Sequence, residues 1–218
     1  EEKSGWRSLI RGSDLEGWRK VRGTARFERK GNMIVCTAAP GSSHSLLGTE
    51  ERFKDFELRF EVKLDPGLSS GIRIRLKGAT FHTRKLDAII VSEYLVEVSA
   101  GGKAGFIYGG AWLRRPSKDR VNQRVRSAFK PGSWNAFRVH CVGDIIRTWV
   151  NGVPVGFAIG SLDREGFIGL EVDPFKGKRP GQISWRNLRV KILKDKVSSV
   201  IDSVEKACLE RTAVSYTH

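Results

Sequence analysis

Phe56-Glu57-Leu58-Arg59-Phe60-Glu61-Val62-Lys63-Leu64 alternates apolar and charged side chains over nine positions without a fault. Successive side chains of a strand point to opposite faces, so this stretch buries one face and leaves the other to solvent. After the turn-forming Asp65-Pro66-Gly67, Ile72, Ile74 and Leu76 continue the alternation, with Arg73, Arg75 and Lys77 opposite them. The two strands read as a hairpin. Outward from them, Lys30-Gly31-Asn32 separates Ala25 to Arg29 from Met33 to Thr37, Gly143-Asp144 separates Phe137 to Val142 from Ile145 to Val150, and Asn151-Gly152 marks a further tight turn. Short strands at these intervals, with 24 glycines and few long helical patterns, predict an all-β sandwich or jelly roll.

The length of 218 residues and 39% hydrophobic content suit one medium-sized domain with a sizeable core. The 39 Lys and Arg outnumber the 24 Asp and Glu, for a formal charge of +15. Such a surface favours anionic partners, among them nucleic acid, acidic polysaccharide or phospholipid, and charge alone does not choose between them. Cys36, Cys141 and Cys208 are too far apart in sequence for a zinc site. Cys36 and Cys141 sit in strand-like segments, as one bridge or as two buried thiols, and buried thiols are the expectation. No run approaches a membrane span. Glu1-Glu2-Lys3-Ser4 carries no signal-peptide pattern, and a processed start reads the same way.

Two stretches depart from the strand pattern. Leu113 to Lys130 is basic and aperiodic, with Pro116, and reads as a long loop beside the sandwich, either a lid or a solvated excursion. Val197, Val200, Ile201, Val204 and Cys208 recur at helical spacing, which predicts an amphipathic helix from about Lys194 to Arg211. That helix would pack on the sandwich or on a second copy of the chain. The domain division is then 1–193 for the sandwich and 194–218 for a helical extension.

Phosphate loops, zinc-protease helices and nucleophile elbows are missing from the sequence. His44, His82, His140 and His218 are isolated; His140 lies in a strand, and His82, in the less regular Thr80 to Lys85, is the better functional candidate. Two strands supply a more suggestive set. In Tyr94-Leu95-Val96-Glu97-Val98-Ser99 a carboxylate interrupts an apolar run, and in Ile168-Gly169-Leu170-Glu171-Val172-Asp173 two acids share one face while Leu170 and Val172 share the other. A carboxylate so placed needs solvent, a cation or a ligand. If both strands lie on one concave sheet, Glu97, Glu171 and Asp173 would share a groove with Arg73 and Arg75; the alternative is a salt-bridged, solvated sheet face.

Several islands carry a family resemblance: Trp6 to Leu9, Leu15-Glu16-Gly17-Trp18, Ser69-Ser70-Gly71-Ile72 with Arg75, Gly105-Phe106-Ile107-Tyr108-Gly109, Trp134-Asn135, Trp149-Val150-Asn151-Gly152 and Arg186-Asn187-Leu188-Arg189-Val190. Together, over roughly Trp6 to Leu193, they resemble the 3-keto-disaccharide hydrolase family. The resemblance implies a concanavalin A-like, laminarinase-like jelly-roll β-sandwich. Two departures fall where chemistry is expected. The family's Tyr-Glu-x-Gln strand appears as Tyr94-Leu95-Val96-Glu97, with Leu95 in place of the acid, or in a shifted register with Glu97 as the acid; its Gln-x-His-Gly element appears as Glu171-Val172-Asp173-Pro174, without the imidazole.

The activity implied is cleavage of a glycoside already oxidised at C3. The ketone acidifies the C2 proton, a base removes it, a cation stabilises the enolate, and the glycosidic oxygen leaves before water adds. Glu97 or Asp173 would be the base, Arg75 the clamp, and Tyr108 or Trp112 the sugar platform; Glu171, Arg73, Tyr94 and His82 complete the expected site. Ordinary hydrolysis by paired carboxylates is a second option. No cofactor is expected, with a divalent metal such as Ca²⁺ left open although the acids match a calcium loop poorly. The competing classes are a non-catalytic carbohydrate-binding module, which would tolerate Leu95 and Asp173, and a nucleic-acid or polyanion binder resting on the charge. Trp112 is the expected exposed aromatic, and Trp18, Trp134, Trp149 and Trp185 are expected in the core. By analogy with the family, the setting is secreted or the cell envelope, with oligomerisation through the C-terminal helix left open.

Overall fold

The computed structural model describes residues 5–77, 94–109, 123–159 and 164–193. Fourteen strands and one helical turn follow in chain order: β1 (Trp6–Ser8), β2 (Trp18–Arg22), β3 (Arg26–Lys30), β4 (Met33–Ala38), β5 (Ser45–Phe53), β6 (Phe56–Leu64), β7 (Ser70–Leu76), β8 (Tyr94–Val98), β9 (Ile107–Tyr108), α1 (Gln123–Arg126), β10 (Asn135–Val142), β11 (Ile145–Val150), β12 (Val153–Ile159), β13 (Gly166–Val172) and β14 (Gly181–Ile192). They build a jelly-roll β-sandwich of the concanavalin A-like kind. One sheet has eight strands in the order β12-β11-β10-β6-β14-β4-β3, with β1 paired to β14, and the other six in the order β2-β5-β13-β7-β8-β9.

Alternating patterns make the core. Phe56, Leu58, Phe60, Val62 and Leu64 of β6 face Ile72 and Ile74 of β7, Tyr94, Val96 and Val98 of β8, and Ile168, Leu170 and Val172 of β13 in one buried cluster. Phe60 and Phe137, directly paired across β6 and β10, stack with ring centroids 5.1 Å apart. Cys36 and Cys141 are both buried free thiols, and burial pushes each up to about 12.

The three tight turns form as the sequence predicts. Gly31 and Gly143 take positive φ (60° and 53°) at the first central position of two-residue loops, the II′ arrangement, whereas Asn151 and Gly152 are both positive (48° and 78°), the I′ arrangement. The Trp-Asn and Asn-Gly islands meet through their side chains. Asn151 Nδ2 donates to Asn135 Oδ1 (2.9 Å) and to Ala128 O (2.8 Å), while Asn135 binds both the N–H and the carbonyl of Lys130. These bonds tie the two islands to each other and to the segment that follows α1.

One expected pairing is wrong. β6 and β7 form no hairpin: β6 pairs with β10 and β14 in the larger sheet, and β7 pairs with β13 and β8 in the smaller one. Asp65-Pro66-Gly67 therefore carries the chain from one sheet to the other. Of the four tryptophans expected in the core, Trp18 and Trp185 are buried there. Trp134 and Trp149 are half-buried on the outside of the larger sheet, capped by Arg186 at 4.1 Å and Arg138 at 4.3 Å from their ring centres. The predicted C-terminal helix lies outside the described residues, as does most of the basic loop, whose end forms α1 and tucks in Ala128 and Phe129. Among the described residues no helix is long and apolar enough to cross a membrane.

Candidate functional site

The smaller sheet brings the three acids to one outer face. Register sets Glu171 of β13 opposite Gly71 of β7, and Gly71 opposite Glu97 of β8, so the two glutamates flank a glycine in one cross-strand row. Directly opposed residues share a face. Their backbones stand about 10 Å apart, two strand spacings. Gly71 leaves room for Leu95, whose Cδ1 would sit 2.2 Å from any Cβ added there. Leu95 thus occupies the surface between the two carboxylates, and Ser70 Oγ anchors the row by donating to the Glu171 carbonyl at 2.6 Å.

Glu171 is 1% exposed. Arg73 grips it with two nitrogens, Nη2 reaching Oε1 at 2.9 Å and Nε bonding Oε2. His44, just before β5, brings Nε2 to 2.6 Å from Oε1, and Arg22 at the end of β2 stands 4.0 Å from Oε2. Burial alone would raise the Glu171 carboxyl, but the bonds from His44 and Arg73 outweigh it and hold it below the usual range. Its neighbours move the other way. Asp173 is raised by burial and by the Glu171 charge, against the pull of His44 and Arg73. Glu97 is raised mainly by burial, with Asp173 and Glu171 adding to it and the Ser99 hydrogen bond and Lys103 opposing. Burial also lowers the Arg22 guanidinium. Carboxyls pushed apart in this way are what acid–base chemistry requires.

With Arg22, His44 is a site residue that sequence reasoning missed. It stands isolated in the chain, but β5 pairs with β13 so that Ser45 lies opposite Val172, which sets His44 beside Asp173 with Nε2 at 3.6 Å from Oδ1. An imidazole therefore stands beside position 173, from the residue that precedes β5.

Two other expectations are corrected. Arg75 is no part of this face: its φ of 55° breaks the alternation of β7 next to a register shift in β13. The side chain turns inward, fully buried. It donates to Lys54 O (3.1 and 2.9 Å), Gly143 O (2.7 Å) and Asp55 Oδ1 (3.2 Å). Tyr94 has the parity of Val96 and Val98 and lies in the core at 1% exposure, so it cannot touch a ligand on the outer face. Tyr108, by contrast, is half-buried at the sheet edge and pairs with Leu95, on the same face as Arg73. His82 and Trp112 lie outside the described residues.

His44, Glu171 and Asp173 each offer a ligand atom within 4.8 Å of the others, the donor types of a divalent-metal site. The fit is poor. Both oxygens of Glu171 are already held by Arg73, and Arg22 adds a second positive charge beside it. Calcium would want about 6–8 oxygen ligands. For paired-carboxylate hydrolysis, Glu171, locked by Arg73 and His44, is not free to act as nucleophile, which leaves Glu97 with Asp173 as the pair.

Comparisons with known proteins agree with this architecture. The 3-keto-alpha-glucoside-1,2-lyase-like domain matches residues 5–191. No curated protein matches the sequence. Among solved structures, a candidate glycosyl hydrolase from Parabacteroides distasonis superposes with a TM-score of 0.58 at 20% identity, over 86% of this chain and 99% of its own. The carbohydrate-binding module CBM66 from Bacillus subtilis superposes with a TM-score of 0.51 at 15% identity, over 80% of this chain and 95% of its own. At these identities the likeness concerns the fold.

Proposed function

Because the chain belongs to the family of 3-keto-alpha-glucoside-1,2-lyase-like domains, we propose that the outer face of the smaller sheet binds a glycoside oxidised at C3 and cleaves it by elimination, with water added afterwards. The observation that carries this reading is the arrangement of the adjacent acids: Arg73 and His44 both grip Glu171, while Asp173 stands 3.6 Å from His44 Nε2 with its carboxyl pushed up by burial and by the Glu171 charge. A carboxylate with a raised pKa is a stronger base than an ordinary one. Asp173 takes the C2 proton, and the electron pair moves onto the C3 oxygen as an enolate. Arg22 is the cation best suited to that oxygen, since Glu171 already occupies Arg73. The enolate then collapses to a C1–C2 double bond as the glycosidic oxygen departs and takes a proton, which His44 is placed to give. Glu171 touches no reacting atom in this scheme; it positions Arg73 and His44.

One observation favours a second reading. Leu95 stands between Glu97 and Glu171 where the family pattern has an acid, and a pure binding module tolerates that apolar side chain easily. The two readings part on Asp173→Asn. In an elimination catalyst this variant loses turnover of a 3-keto-disaccharide by about 100-fold or more while calorimetric affinity for the uncleaved parent sugar persists, and Glu97→Gln is affected less. Wild type that binds the keto sugar saturably and releases nothing from it defeats the catalytic reading.

A further inference from the structure

We propose that the outer face of the larger sheet, on the far side of the sandwich, is a second binding site, specific for a uronate-bearing saccharide. Register aligns Trp149 of β11, Arg138 of β10, Arg59 of β6 and Arg189 of β14 in one row across four adjacent strands. Like charges directly opposite one another destabilise a sheet, so three arginines in a row are a cost that folding does not require. Glu57 relieves two of them, at 2.6 Å from Arg59 and 2.8 Å from Arg138. Arg189 is exposed, and among the described residues no carboxylate lies within ion-pair distance of it.

The row lines a depression of about 400 Å³ together with Glu61 and Asn187, a size within the roughly 300–1,000 Å³ typical of small-ligand sites. Its floor is open because Ala136 puts only a methyl opposite Glu61. The guanidinium groups are held in place before any ligand arrives: Arg138 lies over Trp149 at 4.3 Å and Arg59 over Trp6 at 4.7 Å. Asn187 sits at φ 51° in a bulge of β14 and turns its Nδ2 to Glu61 Oε1 at 2.9 Å.

Charge and donor chemistry select the ligand. Planar guanidinium forks match a carboxylate, so an acidic group belongs over the arginine row. Glu61, in the same depression, holds Arg186 through Oε2 (2.7 Å to Nε and 2.6 Å to Nη2) and Asn187 through Oε1 at 2.9 Å. Oε1 keeps lone-pair capacity for a hydroxyl donor. A uronate ring offers both groups, whereas a deoxynucleotide backbone has the negative charge but no hydroxyl for Glu61.

Titration of the protein with tetragalacturonate, cellotetraose and a short oligothymidylate, followed by tryptophan fluorescence and calorimetry, tests this. Tetragalacturonate is expected to bind with a change in fluorescence, and cellotetraose to leave this face untouched. Arg189→Gln, an exposed position, should weaken tetragalacturonate about tenfold or more, and Asp173→Asn on the opposite sheet should not change it. Absence of tetragalacturonate binding, or affinity unaltered in both Arg189→Gln and Arg59→Gln, overturns the proposal. Loss of binding in Asp173→Asn moves the ligand to the other face, and tighter binding of oligothymidylate assigns the arginines to nucleic acid; either outcome also overturns it. None of these results bears on whether the smaller sheet cleaves keto sugars.

Discussion

Replacing Arg75 by Met distinguishes a sugar clamp from a structural tie. The side chain is fully buried and bonds two backbone carbonyls and one carboxylate: Lys54 O in the turn between β5 and β6, Gly143 O in the β10–β11 hairpin, and Asp55. Asp55 in turn accepts the Gly143 N–H at 2.9 Å. Met keeps much of the volume and removes every donor, leaving Asp55, 5% exposed, with the Gly143 amide as its remaining bond. Breaking one side of a buried pair costs about 3–5 kcal/mol, mostly because the other charge is stranded. For a chain of this size each kcal/mol lowers the melting temperature by about 2–4 °C. The expected fall is therefore roughly 6–20 °C, read by circular dichroism or scanning calorimetry. Asp55→Ala should cost a similar amount, and the double variant should cost less than the sum by about 1–3 kcal/mol, since removing both charges strands neither. A melting temperature within about 2 °C of wild type, the range of a surface substitution, combined with lost sugar affinity, would refute the reasoning and return Arg75 to the ligand.

Glu97 gives a pH-dependent test. Its folded carboxyl is raised above the ordinary value, chiefly by burial, so the folded chain holds this proton more tightly than the unfolded one, and stability falls as pH rises through the window between the two values. Glu97→Gln should therefore raise the melting temperature at neutral pH and lose that advantage in acid below the ordinary glutamate value; an equal effect at both pH values contradicts the assigned cause. Glu171 has the opposite sign. Its folded carboxyl is held low, so its contribution is complete above the ordinary value and is lost as pH falls through the folded one. The thiols of Cys36 and Cys141, pushed up to about 12 by burial, should escape modification in the native protein and react once it is unfolded, as peptide mass spectrometry can show; native labelling of either would contradict their burial.

Local chemistry was the readable part of the fold. The period of β6, the II′ and I′ turns at Gly31, Gly143 and Asn151-Gly152, and the split of β13 into Leu170 and Val172 inside with Glu171 outside all follow from patterns a few residues long. Pairing partners do not, because any two half-buried strands separated by a turn read as a hairpin, and β6 and β7 belong to different sheets. Arg75 was misread because one residue at positive φ reverses the face on which its side chain emerges. His44 was missed because its meeting with Glu171 and Asp173 depends on β5 pairing with β13, more than a hundred residues away in sequence. Trp134 and Trp149 looked like core residues, yet arginines cover them on an outer face. Composition alone does not distinguish a tryptophan buried among aliphatics from one capped by a cation.

The central claim, enolate chemistry on the outer face of the smaller sheet, is tested most directly by incubating the protein in D₂O with a 3-keto-disaccharide and, separately, with its unoxidised parent. The account predicts release of the leaving sugar from the keto substrate alone, with deuterium at C2 of the released keto sugar. Release from the parent at a comparable rate, or release without deuterium at C2, would contradict it.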